Sequence, residues 1–176
     1  IDFCRYYSVK TREIFKETQL EGPTGEKNTY KLKGKGLTFA VSPWNFPVAI
    51  FIGQLAAGLL TGNVVLAKPA EQSCYISNLI IKLLFKAGLP KKAIALVLGH
   101  GKIIGDRVLE DEALKNILFT GSLETAKIIQ KKIQEKSAIP TFIAETGGQN
   151  CMIADSSSLP EHVIKDVLRS SFDSAG

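Results

Sequence analysis

Residues 63–90 read NVVLAKPAEQSCYISNLIIKLLFKAGLP, and the change of rhythm inside that stretch decides the fold. Val64 to Ala67 is a short apolar run, the form a strand takes when both of its faces are covered. Lys68-Pro-Ala-Glu71 breaks it. Ile76, Leu79, Ile80, Leu83 and Leu84 then fall at i, i+3, i+4, i+7 and i+8, one face of a helix. Gly88 and Pro90 supply the glycine and following proline that end such a helix.

The same unit recurs outward from there. Upstream, Leu37 to Val41 is a strand that stops at Ser42-Pro43, and Phe46 to Leu60, rich in Ala, Gly and Leu, suits a tightly packed helix. Downstream, Ile94 to Leu98 reads as strand, Lys102 to Leu109 as helix, Asn116 to Phe119 as strand and Ser122 to Glu135 as helix. Thr141 to Ala144 and Cys151 to Ala154 follow as strands, then Leu159 to Phe172 as a helix with Pro160 in its first turn. Alternation with connections this short predicts an α/β fold: a Rossmann-like parallel sheet with helices on both faces. Its crossovers should be right-handed and its ligand should lie at the carboxyl ends of the strands. Before this block, Asp2 to Lys16 reads as an amphipathic helix. Glu21-Gly-Pro-Thr-Gly25 breaks it, and Thr29 to Phe39 alternates as strands do. That leading segment is too short and polar to own a core, so it should belong to a neighbouring layer or subunit.

Composition narrows the function. The 176 residues are 45% hydrophobic and 22% charged, ordinary globular values that exclude disorder and collagen-like repeats. The net charge of +5 is spread as isolated lysines and short pairs. Its densest spot, Lys31-Leu-Lys-Gly-Lys35, lacks aromatic interleaving and reads as a solvated strand face, so no nucleic acid is expected. No apolar stretch approaches the roughly 18 residues of a membrane span. Three scattered cysteines, Cys4, Cys74 and Cys151, without CxxC spacing point to a reducing cytoplasm rather than to zinc or a disulfide framework. The two histidines, His100 and His162, stand too far from any cysteine to suggest a metal site. The opening Ile1-Asp-Phe-Cys-Arg-Tyr-Tyr7 is neither a leader nor an initiator methionine, and predicts a piece of a longer chain.

Several strand ends carry possible chemistry. Gly99-His-Gly-Lys-Ile-Ile-Gly105 follows a strand and opens a helix, but its third glycine is one residue late for GxGxxG, and the next strand ends without a carboxylate. Phe119-Thr-Gly-Ser122 ends a strand at a glycine and starts a helix whose free N–H groups suit a phosphate; an ordinary serine cap accounts for it equally. Pro43-Trp-Asn-Phe-Pro47 fixes the backbone around Asn45, which either caps its own turn or serves as a rigid oxyanion donor. Lys68 and Glu71 either hold sugar hydroxyls or pair at the surface. Glu145, before Thr146-Gly-Gly148, is either a general base or part of a simple turn.

In combination the words are specific. PWNFP, GNVVLAKPAE, GHGKIIG, FTGS and AETGG, in that order, resemble the NAD-binding half of the aldehyde dehydrogenase superfamily across nearly the whole chain. SPWNFPVAIFIGQ, LAKPAEQ, AETGGQNCMIADSSSL and SFDSAG look like the Δ1-pyrroline-5-carboxylate dehydrogenase domain of bacterial proline utilisation proteins. That resemblance implies NAD-dependent oxidation of glutamate γ-semialdehyde to glutamate through a cysteine thiohemiacetal and thioester. It divides the chain into 1–36, a helix with oligomerisation-type strands, and 37–176, an incomplete NAD-binding domain. It also implies a homo-oligomer, a small-molecule aldehyde substrate, and a proline dehydrogenase domain in the same or a neighbouring chain.

Carried over by motif, the resemblance gives Lys68 and Glu71 the adenosine ribose, Gly121 and Ser122 the pyrophosphate, and Gly101 and Gly105 the adenine side. Ser42 and Trp44 would line the cleft, with Thr146 and Gly147 beside the nicotinamide. Asn45 would donate to the oxyanion, and Glu145 would activate the hydrolytic water. The family's nucleophile stands in a Gly-Gln-(any)-Cys word, expected about three residues beyond Gly176. Thr146 and Gln149 fit the proline-utilisation subgroup, whereas Leu123 and Thr125 depart from the wider pattern near the adenine side. Two readings stand at this stage: a segment of such a dehydrogenase, inactive alone, or a non-catalytic nucleotide-binding or interaction module.

Overall fold

The computed structural model describes residues 1–148 and 150–173; Gln149 and the closing Ser174-Ala175-Gly176 lie outside the described residues. The chain divides into two units, 1–146 and 147–176. The first opens with α1 (Asp2–Ile14), which packs on a later helix, and a short antiparallel hairpin, β1 (Thr18–Leu20) with β2 (Asn28–Tyr30). Then come β3 (Leu37–Ser42), α2 (Ala49–Leu60), β4 (Val64–Pro69), a 3₁₀ turn at Glu71–Ser73, and α3 (Cys74–Lys86). β5 (Ile94–Leu96), α4 (Gly101–Glu110), β6 (Leu114–Gly121), α5 (Leu123–Gln134) and β7 (Thr141–Thr146) complete it.

The five later strands form a single sheet in the order β5-β4-β3-β6-β7, with every pairing parallel. Period-two alternation on β3 sorts the core. Phe39 points toward Leu109 of α4 and Ala126, Ile129 and Ile133 of α5. Ala40, its neighbour, points the other way, toward Phe51 and Leu55 of α2 and Ile80 and Ile81 of α3. The sheet is therefore covered by helices on both faces, as the alternating sequence predicts.

The α3 stop follows the sequence signal. Gly88 adopts a positive φ of 101°, its N–H donates to the Phe85 carbonyl, and the Leu89 N–H donates to the Leu84 carbonyl, the paired bonds of a Schellman cap. Two expectations change. The run Thr29 to Phe39 divides: β2 ends at Tyr30, and irregular backbone separates it from β3. Cys151 to Ala154 is no strand, for it has no ladder partner among the described residues.

The second unit contains α6 (Pro160–Phe172), with Pro160 in its first turn and no buried residue along its length. Among the described residues no helix is long and apolar enough to cross a membrane.

Candidate functional site

β3 feeds β4 and β5 on one side and pairs with β6 and β7 on the other, so the strand order reverses between β3 and β6. Such a switch point opens a crevice at the carboxyl ends of the strands. The ladders show it. β3 pairs with β4 as far as Ser42↔Pro69, and β6 with β7 as far as Gly121↔Thr146, yet β3 and β6 part after Val41↔Phe119.

Around that opening stand most of the residues the sequence singled out. Ser42 ends β3, is 3% exposed, and donates its hydroxyl to Gln54 Oε1 at 2.6 Å. Trp44, 55% exposed, and half-buried Asn45 follow in the turn between β3 and α2. Glu145 lies across from Thr120, and Thr146 across from Gly121; both β7 residues are exposed. Ser122 caps α5, accepting from the Thr125 N–H at 3.1 Å and donating to Thr125 Oγ1 at 2.9 Å. Gly121 has a packing reason of its own, since a Cβ there would meet the Phe119 ring at 2.7 Å. Gly147 is exposed and belongs to the second unit.

Lys68, Glu71 and Gly101 form a second cluster. Lys68 is 4% exposed at the end of β4; its Nζ donates to the Pro69 carbonyl at 2.9 Å and lies 3.4 Å from Glu71 Oε1. The same Oε1 accepts the Gly101 N–H at 2.8 Å. α4 thus begins on a carboxylate supplied by another loop, since its own N-cap, His100, makes no side-chain cap bond. The pairing that the sequence offered is present, with the lysine buried and the carboxylate half-exposed.

The Glu71 carboxyl is held below the usual glutamate range, first by the hydrogen bond from its own backbone N–H. Partial burial opposes this, while the Gly101 N–H and the Lys68 charge add to it. A depressed folded pKa means that the stabilising contribution is present above the unfolded value, about 4.3. It is lost as pH falls through the lower folded value. Solvent screening keeps the contribution small for a half-exposed side chain. Glu71→Gln is therefore expected to flatten the loss of stability below about pH 4.3. Urea unfolding of both proteins across that range checks it, and identical pH slopes would overturn it.

Beside this cluster a groove of about 490 Å³ runs between α4 and α5 over the sheet. Phe39 and Val41 floor it, Gly101 and Gly105 line the α4 wall, and Thr125 and Ile128 line the α5 wall. An ion pair from Asp106 to Lys132 joins the two helices at its margin. A largely apolar slot ending in a buried lysine has the form of a small-molecule site.

Sequence reasoning had Lys68, Gly101 and Gly105 and flagged Thr125, but missed Phe39, Val41 and Ile128. One signal was available. The inward positions of α5 are Ala126, Ile129 and Ile133, so Ile128 is an aliphatic residue off the core stripe, and it is 52% exposed.

The free cysteines are scattered: Cys4 exposed on α1, Cys74 opening α3 with its Sγ 3.8 Å from the Ala70 carbonyl, and Cys151 exposed in the second unit. Among the described residues no three His, Cys, Asp or Glu side chains form a metal-binding group.

The bifunctional protein PutA of Klebsiella aerogenes is 43% identical over the whole of this chain, which spans 13% of that protein. A crystal structure of proline utilization A from Bradyrhizobium japonicum superposes with a TM-score of 0.94 at 48% identity, covering 97% of this chain and 18% of the other. The Δ1-pyrroline-5-carboxylate dehydrogenase of Mycobacterium tuberculosis, solved bound with NAD, gives 0.86 at 31% identity, covering 98% of this chain and 33% of the other. The aldehyde dehydrogenase family model matches residues 1–176. With a sheet, a switch-point crevice and a match over its full length all in agreement, the chain belongs to the aldehyde dehydrogenase family.

Proposed function

We propose that this chain forms the NAD-binding part of a dehydrogenase that oxidises glutamate γ-semialdehyde, the open form of Δ1-pyrroline-5-carboxylate, to glutamate in proline catabolism. The observation that carries the reading is the buried Lys68 and the Glu71 carboxylate meeting at the end of the apolar groove between α4 and α5. The dinucleotide fits what is present. An apolar slot with Gly105 on its wall suits an adenine ring, and a lysine–carboxylate pair at the slot's end suits ribose hydroxyls. The N-terminus of α5 at Ser122 offers free N–H groups to a pyrophosphate. The dinucleotide, when bound, supplies the acceptor for the aldehyde's hydride.

The remaining work falls to side chains of this chain. Asn45, held in a turn between two prolines, donates its amide N–H to the developing oxyanion without reorganising. Glu145, at the end of β7, takes a proton from the water that releases the acid product. By motif, Trp44 and Ser42 are assigned to the cleft, and Thr146 and Gly147 to the nicotinamide. The thiolate nucleophile is assigned to none of Cys4, Cys74 or Cys151, and this chain alone is expected to form no NADH. In the working protein, residues 1–36 would serve assembly of a cytoplasmic homo-oligomer. A proline dehydrogenase domain in the same or a neighbouring chain would supply the substrate.

Trp44 is the single tryptophan, which permits a direct test by fluorescence titration with NAD. The paired variant Lys68→Ala, Glu71→Ala is expected to weaken binding about tenfold to a hundredfold, the loss of charge-assisted hydrogen bonds. An unchanged titration would refute the assigned site.

A further inference from the structure

The groups described so far leave one polar side chain at the switch point unexplained. Gln54 reaches up from α2, and its Nε2 donates to the Val41 carbonyl at 3.1 Å and to Thr120 Oγ1 at 3.1 Å. Its Oε1 accepts the Ser42 hydroxyl at 2.6 Å. Every one of these partners lies at the point where the backbone ladder between β3 and β6 has just ended, after Val41↔Phe119. One amide on α2 therefore links the two parted strands, with two hydrogen bonds to β3 and one to β6. The fold alone does not require this. A switch-point crevice parts by topology, and an aliphatic residue at position 54 would suit a helix whose neighbours are Phe51, Gly53 and Leu55, all buried.

What Gln54 joins is informative. Ser42 leads directly into the Pro43–Pro47 turn that carries Asn45. Thr120 leads directly into Gly121 and Ser122, and it lies across from Glu145. The three bonds thus fix the spacing between the turn that presents the oxyanion donor and the turn that opens α5. Both polar atoms of the Gln54 side chain are engaged in these bonds.

We propose that Gln54 is a positioning residue: it clamps the parted ends of β3 and β6 so that the Asn45 turn and the Gly121–Ser122 turn hold one separation across the crevice. The catalytic consequence rests on the dehydrogenase reading given above; the mechanical one does not. Misplacement of a reacting group by about 1 Å costs on the order of a hundredfold in rate. The clamp therefore bears first on turnover through the Asn45 turn and less on cofactor affinity through the Gly121–Ser122 turn, because Lys68 and Glu71 hold the far end of the dinucleotide independently.

The test uses the intact protein with Gln54→Met, which keeps side-chain volume and removes all three bonds, and with Thr120→Val and Thr120→Ser as milder probes. Amide hydrogen exchange is read at Trp44, Asn45, Phe46, Gly121 and Ser122. Gln54→Met is expected to speed exchange in both turns by about tenfold or more while the amides of α3 keep their wild-type rates. Thr120→Val should act in the same direction, and Thr120→Ser, which keeps the hydroxyl, should exchange as wild type does. In steady-state assays kcat should fall by about tenfold to a hundredfold, with KM for NAD rising by a smaller factor. Unchanged exchange in the two turns, or exchange raised equally throughout the sheet, overturns the clamp. A lowered melting midpoint with kcat intact overturns its catalytic consequence. If the wild-type protein oxidises no semialdehyde with NAD, the dehydrogenase reading falls, and the exchange data still decide the clamp. Should Gln54→Met fail to fold, the contrast between Thr120→Val and Thr120→Ser decides it.

Discussion

Glu145→Gln is expected to lower kcat of the intact enzyme by about 10²–10⁴-fold, the usual contribution of a positioned general base. The amide keeps the size and shape of the carboxylate but cannot take a proton from water. Glu145 is exposed at the end of β7, opposite Thr120 and one residue before the last paired position of the strand, Thr146. The substitution should therefore leave folding alone, because an exposed strand-end residue contributes little packing. Hydride transfer precedes hydrolysis in the proposed sequence, so a rapid burst of NADH should survive while the steady state collapses. Stopped-flow absorbance on the variant checks both phases. A steady-state rate within about twofold of wild type would remove Glu145 from the mechanism.

The largest effect on stability is expected from Phe39→Ala, at about 3–5 kcal/mol. Phe39 is 1% exposed on the central strand and packs with Leu109, Ile117, Ala126 and Ile129 between the sheet and the α4–α5 layer. Removing its ring opens a cavity flanked by both helices, and it also removes the floor of the groove. The melting midpoint should drop by roughly 10 °C, at about 2–4 °C per kcal/mol for a domain of this size. Ile128→Ala, on the exposed α5 wall of the same groove, should shift stability by no more than about 0.5 kcal/mol while still weakening NAD binding. Urea unfolding and Trp44 titration on the two variants separate packing from recognition. A Phe39→Ala cost below about 1 kcal/mol would refute the packing account.

The sequence was readable where hydrophobic period and stop signals agreed. Val64 to Ala67 followed by the Ile76–Leu84 stripe lies within β4 and α3, and Gly88 ends that helix through the bonds its position implies. Agreement of this kind arises because local preference and burial favour the same state. It failed where an element depends on a partner. Cys151 to Ala154 has strand composition, but a strand exists only through a ladder, and pairing is a long-range property that a local window does not contain. The site was legible in part for the same reason. Lys68 and Glu71 stand three apart in the chain and read as a pair. The bond from Gly101 to Glu71 joins residues brought together by the β4–β5 crossover, and the three bonds of Gln54 join a helix to two strands far apart in sequence. Phe39 and Val41 read as ordinary core residues, and only the geometry of α4 over the sheet makes them a groove floor.

The central position of β3 also bears on how the unit comes into being. Its pairing with β4 closes the shorter path, a crossover through α2, whereas its pairing with β6 waits for α3, β5 and α4 to be made and laid down. Closing the longer path costs more chain entropy and belongs to the slower class of contacts. During synthesis the β3–β4–β5 half, with Lys68 and Glu71 already at its rim, can assemble before β6 has left the ribosome. The crevice does not exist until β6 arrives and Thr120 reaches Gln54. The place where chemistry is proposed is thus completed late in the assembly of the sheet, first by β6 and then by β7, which carries Glu145.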